Sequence, residues 1–542
     1  MESVAVLIVG GGPVGMNLAL DLAALGVGSM IVEREPTTRR HPRGSTQNAR
    51  TMEHYRRLGL SHRIRDLGLP PDHPTDIAYF TALNGIEITR LPMPSENEKR
   101  AAVARAGVTD QVPEPLLRCN QMYVEAFLRE HIGTMAAIDD RWGWECTDFV
   151  EQGDGVTVRI VDAAGREASV RCRYLVGCDG GGGMVRRRLG VGYVGKRPTE
   201  RAYASGATIS THIRAPQLYE RFIRKKAWHY WVVNPAVRAT LVTLDGRGHF
   251  LMNSKLRKDD GAPDVPLIAE HFRKAAGAPV EAEFLAHTPW TAGQALVANS
   301  YGAGRVLLAG DAVHLFTPTG GFGMNTGVDD VANLGWKLAA VVQGWGGPAL
   351  LASYELERRP IALRNTAAAK RMSLTNGEVP VGPHIGEDSA AGAADRARAA
   401  AMLSGFGDQF GSLGIQLGAR YDDSPIVFGS GQHIEDDPEI YRPTAVPGGR
   451  APHAFLPGGS LFDRFGPGFT LLCLRPGIDD DAFEAAAAAR HIPLTTVCLD
   501  LAAVRDLYEC DLALVRPDQH VAWRGNAAPA DADAILARAT GW

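Results

Sequence analysis

Cysteine is scarce and scattered in this chain. Seven stand in 542 residues, at positions 119, 146, 172, 178, 473, 498 and 510, and no two form a CxxC pair. An odd count without paired spacing argues against a disulfide framework or a zinc ribbon, and for a reducing compartment. Long apolar runs are missing too: none reaches the roughly 18 residues of a membrane-spanning helix. The apolar start VAVLIVGGG lacks the basic flank of a signal peptide and runs into a glycine turn. It reads as a first strand, and the cytoplasm is the expected location. Neither charge is in excess. Lys and Arg number 57 against 61 Asp and Glu, a net −4, which speaks against a nucleic-acid binder held by electrostatics. With 45% hydrophobic and 22% charged residues, wholesale disorder is excluded.

Glycine, by contrast, is abundant at 61 residues, and the excess clusters in a few runs. At about 150 residues per domain, the length allows three or four domains. Residues 4–9 are a β-branched apolar run, as a buried parallel strand requires. Apolar spacing predicts a helix over 14–24, ended by Gly26, and a strand over 29–32 that leads to Glu33, together a βαβ unit. Residues 143–173 alternate apolar and polar and predict an antiparallel meander. A strand over 174–178 ends in Asp179-Gly180. From 195 to 285 the pattern is mostly strand, clearest at 228–233 and 239–244. A strand over 306–309 leads to Gly310-Asp311, a glycine-rich loop and a helix predicted over 328–342, with more helix to 371. Residues 385–405 read as a helical or loosely ordered connector. Beyond 440, Pro/Gly turns, short strands and an Ala-rich helix near 481–490 mark a separate C-terminal domain.

Three glycine motifs carry the chemistry. Gly10, Gly12 and Gly15, in GGGPVG with Pro13, fit GxGxxG between a strand and a helix. The first glycine permits a tight turn, the second lets the backbone reach a pyrophosphate, and the third lets helix and strand pack closely. The helix N-terminus offers free N–H groups to the phosphates. Glu33, followed by Arg34, stands 18 residues past Gly15 at a strand end, where a carboxylate bonds a ribose hydroxyl. The second motif is Gly310-Asp311. A carboxylate there can bond the ribityl hydroxyls of a flavin, and the glycines that follow bring N–H groups close to a ring system. The dipole of the helix predicted from Val328 would stabilise negative charge on a reduced flavin. The third is Asp179-Gly180 before GGGMVRRRLG, in which Arg186 is the arginine best placed to lock the loop.

Together the motifs resemble the single-component FAD-dependent aromatic hydroxylases, of the p-hydroxybenzoate hydroxylase and phenol hydroxylase type. GGGPVG matches their first FAD fingerprint. CDGGGGMVRRRLG resembles their DG motif, which serves both FAD and the nicotinamide cofactor. The stretch from Arg305 to Ala339 is similar to their GD motif almost position for position. Gly183 departs from the Ser often found there, and Phe322 from Gln or Lys. The resemblance implies that Arg43 in HPRG and Gln121 in RCNQ lie at the FAD pyrophosphate. It also implies that Pro318, Gly321 and the Gly323-Met324-Asn325 backbone line the isoalloxazine ring. YRPTAVPGGRAPHAFL, GFTLL and LVRPDQHVAWRG resemble the thioredoxin-like domain of phenol hydroxylases. Without CxxC, that domain is implied to be structural or dimer-forming, giving a homodimer.

The expected architecture is an α/β multidomain chain. A doubly wound, Rossmann-like FAD-binding domain would use 1–75, 106–190 and 286–380. A β-sheet substrate domain, 76–105 and 191–285, would be inserted into it. A helical connector, 381–435, and a thioredoxin-like domain, 436–542, would follow. The implied activity is hydroxylation of a phenolic ring. NADPH or NADH reduces FAD, O2 adds to give a C4a-hydroperoxide, and its distal oxygen attacks a ring carbon ortho or para to the hydroxyl. The partners would be a small aromatic substrate and O2, with no nucleic acid, no membrane and no metal. A tailoring monooxygenase acting on a large polycyclic or antibiotic substrate is the alternative. A flavin halogenase is a third reading, but the Trp142/Trp144 pair continues Glu145-Cys146 where those enzymes show Ile-Pro. Substrate activation needs a group to take up the phenolic proton. In WHYWVV, alternation puts Tyr230 on the face opposite His229 and Trp231, and Tyr230 and His229 are both catalytic candidates, with core packing the plainer role. Asp110 and His287 are further candidates. His314 is expected to be a structural histidine.

Overall fold

The computed structural model describes residues 1–542 apart from 197–205, 258–259, 261–262, 293–294, 378, 380, 408–410, 430–431 and 433. The chain opens with the expected βαβ unit: strand Glu2–Val9, helix Pro13–Ala24 and strand Ser29–Glu33. Glu2–Val9 lies at the centre of the largest sheet among the described residues. It pairs in parallel with Ser29–Glu33 on one side and Glu167–Gly177 on the other. Ile138–Trp142 and Val306–Leu308 extend the parallel run. The expected meander is present as Trp144–Gln152, Gly155–Asp162 and Glu167–Gly177, antiparallel throughout. Val6, Leu7, Ile8 and Val176 are fully buried, as a strand covered on both faces demands.

Two helices cross this sheet and set the cofactor cleft. Pro13–Ala24 packs against a long helix, Phe322–Gln343. The long helix begins six residues before the position expected from apolar spacing. Its first turns read FGMNTG, a glycine-rich string that looks like loop, yet the glycines are packing devices. A Cβ on Gly327 would lie 2.7 Å from Val14 and 3.0 Å from the Cα of Gly310. Helix, glycine turn and strand end can meet this closely only without side chains there.

A second, seven-stranded sheet stands beside the first. Its order is Glu283–Ala292, Gly206–Arg214, His249–Lys255, Arg238–Thr243, His229–Val233, Ile77–Phe80 and Glu87–Leu91, with only His229–Val233 and Ile77–Phe80 parallel. Strand Glu283–Ala292 runs across the expected boundary at 285/286 and pairs along its length with Gly206–Arg214. The stretch read as mostly strand also contains a helix, Val265–Ala276. Asp264 caps its first turn through Leu267 N, and Gly277 ends it at φ +75°. Its buried side chains Ile268, Phe272, Ala275 and Ala276 close one face of the sheet. The connector holds a real helix, Ala390–Leu403, capped by Ser389, and it closes part of the other face. There Ile385, Ala399, Leu403 and Phe406 pack with Tyr79 and Trp228.

The C-terminal unit is a four-stranded sheet ordered Leu494–Cys498, Phe469–Cys473, Leu512–Val515 and Val521–Gly525, the first pair parallel. It joins the cofactor region through a buried ionic network. Arg516 donates to both carboxylate oxygens of Glu357, at 2.6 and 2.8 Å, and to Asp518. Lys337, on the long helix, adds a 2.6 Å bond to Glu357.

Candidate active site

The glycine turn has the geometry its spacing implies. Gly10 sits at φ +114°, and a Cβ there would lie 2.4 Å from the Cys178 carbonyl oxygen. A Cβ on Gly15 would come 2.0 Å from the oxygen of Gly10, so helix and strand meet at the backbone. Gly12 is different: nothing in the protein lies within 4 Å of its missing Cβ. The helix that starts at Pro13 has no side-chain cap, and its N–H groups face the open side. Glu33 accepts bonds from Gly11 N at 2.7 Å and Glu35 N at 2.9 Å, which pins its carboxylate beside the turn. Arg34 points outward against Glu35.

The other two motifs close on the same cleft. Asp311 follows Gly310, which sits at φ +64°, and burial raises its carboxyl above the usual range while His314, Arg43 and Arg39 oppose. Arg43 in turn is lowered by desolvation and by Arg39, against Asp311 and Glu125. Gln121 opens a helix, its N–H donates to Gly44 O at 2.7 Å, and its amide donates to Glu125. Arg43, Gln121 and Asp311 are therefore brought together. Asp179 accepts from Val185 N at 2.9 Å, its other oxygen is buried without a partner, and burial raises it. A Cβ on Gly183 would lie 2.0 Å from that oxygen, which explains why Gly stands here: this chain places the Asp179 carboxylate in the space a Ser would need. Gly180 takes φ +83°. Arg186 donates to Val191 O and Gly181 O and lies over Tyr193, locking the loop as expected.

Pro318 leads into Thr319–Gly321, where Gly320 and Gly321 take φ +82° and +67°. Gly321 heads the long helix without a side-chain cap, so the dipole end lies at Phe322 rather than at Val328. Gly323 and Met324 lie in the first turn. Asn325 clamps the corner: its amide donates to Thr46 O and Gly321 O, and its oxygen accepts from Asn48 N and Thr51. Uncapped helix ends, an open Gly12 and an unpartnered Asp179 oxygen are what a bound FAD would complete, so the residues present fit that cofactor.

The substrate sheet separates the two catalytic candidates. Tyr230 points into the core against the helix, beside Phe80 and Phe250. Its hydroxyl accepts from Ala227 N at 2.7 Å, and burial pushes its pKa up to about 12. The two side chains lie on opposite faces, as alternation predicts, and the His229 face is the one that meets Arg118, three residues before Gln121. His229 lies between Trp228 and Trp231, 5.2 Å from each ring. Both its ring nitrogens are buried without a partner, and burial, aided by Arg118, lowers its pKa to about 3. Asp110 holds a surface turn through Gly107 N, and His287 is exposed on the strand next to Gly206–Arg214, so neither joins this group. His314 is a buried structural partner of Asp330 at 2.7 Å, as expected.

Sequence reasoning missed Arg118, three residues before Gln121, because nothing in RCNQ tells which way an arginine points. It also missed a thiol pair. The parallel register sets Cys473 opposite Cys498, and with Asp480 their ligand atoms lie within 4.8 Å of one another. Trp142 packs under Arg129 and bonds Asp140, an ordinary strand-end role.

A dinucleotide turn, two further glycine motifs on one cleft and a separate sheet walling it define a flavoprotein of the oxygenase type. Comparison with known proteins agrees. Residues 3–369 match the FAD binding domain family, and residues 444–542 match the aromatic-ring hydroxylase C-terminal family. The chain is 32% identical over 570 residues to the FAD-dependent monooxygenase apdD of Emericella nidulans, covering 99% of this chain and 90% of that one. Among solved structures it is similar to the rebeccamycin biosynthetic enzyme RebC with reduced flavin, with TM-score 0.89, 36% identity and coverage of 100% and 99%. It is also similar to aklavinone-11 hydroxylase with FAD and aklavinone, with TM-score 0.82, 28% identity and coverage of 100% and 99%. The chain belongs to the FAD-dependent aromatic-ring hydroxylases, a family of flavoprotein monooxygenases.

Proposed function

We propose that this monooxygenase hydroxylates a phenolic ring held between the Gly320-Gly321 corner and the His229 face of the sheet, and that the ring belongs to a polycyclic molecule. The observation that carries the reading is His229, whose Nδ1 and Nε2 are both buried without a partner on that face. Native proteins rarely leave such atoms unpaired unless a ligand supplies the partner. Similarity to RebC and aklavinone-11 hydroxylase supports the polycyclic substrate over the simple phenol.

Bound FAD supplies the oxygen chemistry. The chain's own residues do the rest. Asp179, Asp311, Arg43 and Gln121 would hold the cofactor, and the uncapped helix at Phe322 would offer N–H groups to its ring. The apolar walls at Trp228 and Trp231 exclude water, which protects a reactive oxygen species from decay. With its pKa near 3, His229 is neutral at working pH. It accepts a hydrogen bond from the phenol and draws electron density toward the ring carbon to be attacked. In this reading 1–75, 106–190 and the segment beyond 292 to 380 form the cofactor domain, and NADPH or NADH is the electron donor. The C-terminal unit forms a homodimer. Free thiols at all seven cysteines support a cytoplasmic setting.

The test is stopped-flow flavin reduction by NADH and NADPH with simple phenols and polycyclic phenols, read with product mass. A polycyclic phenol should speed flavin bleaching many-fold and gain one oxygen. If a simple phenol does so instead, the small-substrate reading holds. In His229→Asn, FAD content should be unchanged while hydroxylated product falls on the order of 100-fold. Unchanged product would remove His229 from the reaction.

A further inference from the structure

Arg118 is a buried cation with no acid beside it. Only 4% of the residue is exposed. Its position is fixed from two sides. Nη1 donates to Thr46 Oγ1 at 2.6 Å, and the guanidinium carbon lies 3.7 Å over the Trp228 ring. The remaining nitrogens, Nε and Nη2, are buried and make no hydrogen bond. The acids in this region are already taken. Glu114 and Glu96 are engaged by Arg65 at 2.6 and 3.0 Å. A second cation, Lys99, is buried nearby, and desolvation first, then the Arg118 charge, lowers its pKa to about 7. Desolvation alone lowers Arg118 to about 9. An uncompensated buried charge costs several kcal/mol, and replacing it by an apolar residue would normally stabilise the fold.

The place of this charge gives it a use. Thr46, which holds Nη1, is bonded through its carbonyl to Asn325, and Asn325 is bonded to Gly321. His229, whose pKa Arg118 depresses, is on the sheet side. Arg118 therefore sits between the flavin corner and the substrate wall. Nε–H and Nη2–H point along one edge of the guanidinium. That edge is the one that takes a planar carboxylate through two parallel hydrogen bonds.

We propose that Arg118 is the specificity-determining residue of the substrate site, and that it binds the carboxylate of an aromatic carboxylic acid through Nε and Nη2. The proposal rests on the substrate site assigned above. The carboxylate neutralises the buried charge, and Trp228 keeps the fork in plane. The same ring acid as an ester or amide would leave the cation unpaired, and that penalty, more than any attraction, gives the selectivity.

The test uses the full-length FAD-loaded protein and two matched pairs: salicylate with its methyl ester, and 1-hydroxy-2-naphthoate with its methyl ester. Binding is read from the flavin absorbance change and from tryptophan fluorescence, with no turnover needed. The wild-type protein should bind at least one acid 30-fold or more tightly than its ester. Arg118→Gln should erase that preference by weakening the acid alone, and Arg118→Lys should restore only part of it, because lysine offers no fork. Equal binding of acid and ester by the wild type, binding of neither, or a parallel loss of both in Arg118→Gln overturns the proposal. The wild-type comparison needs no variant to fold. Product analysis separates the two readings. Acid preference without an oxygenated product keeps the carboxylate site and sinks the hydroxylation reading. Hydroxylation of ester and acid alike does the reverse.

Discussion

At the scale of single residues, the cleft is built from positions where a side chain is absent for different reasons. Gly15 lacks a Cβ because the chain's own backbone fills the space, and Gly183 because Asp179 does. At Gly12 a Cβ would meet nothing within 4 Å, and the φ of −74° suits any residue. The contrast gives a sharp expectation. Gly12→Ala should leave the melting temperature of the FAD-free protein within a degree or so. It should weaken FAD binding by at least tenfold, measured by flavin fluorescence, because the second glycine makes room for the pyrophosphate. Lost stability of the FAD-free protein with unchanged FAD affinity would show that Gly12 serves the turn and not the ligand.

At the scale of elements, the strand His229–Val233 divides labour between its faces. Tyr230 belongs to the core on the helix side, where its hydroxyl satisfies Ala227 N. Tyr230→Phe leaves that buried N–H without an acceptor and should cost about 1–3 kcal/mol in urea unfolding. Hydroxylation at 25 °C should stay within twofold of wild type. A larger loss of activity at unchanged stability would return Tyr230 to the reaction. This division also marks where sequence reading stops. The three glycine motifs were legible because each packs its function into a local string of strand, turn and helix. A separate C-terminal unit was legible from its own strings. The faces of a strand were legible as opposite, but which face meets Arg118 depends on how a segment far away in the chain docks. The early start of the helix at Phe322 was hidden for a related reason. Glycine has low helix propensity, and here close packing on Val14 overrides it. Likewise, Cys473 and Cys498 share no sequence spacing that suggests a pair, and only parallel register brings them together.

At the scale of the whole molecule, the units are held by charge as well as by apolar packing. Arg516, Glu357, Asp518 and Lys337 are all buried in one network across the boundary. Arg516→Met removes the guanidinium that Glu357 and Asp518 share and leaves Lys337 as the cation bonded to Glu357. Breaking a buried pair from one side costs about 3–5 kcal/mol. Calorimetry of the full chain should show a large drop in melting temperature, and a loss below about 1 kcal/mol would show that the network is solvated in practice.

Two family descriptions meet on this chain, one over residues 3–369 and the other over 444–542, as if they were parts that could be exchanged. Glu357 lies in the first and its guanidinium partner in the second. The joint thus works as a matched key: a C-terminal unit grafted from a cousin is compatible only when it brings an arginine and an aspartate to the places of Arg516 and Asp518. A substitution on one side of the joint alone leaves a buried charge on the other side without its partner.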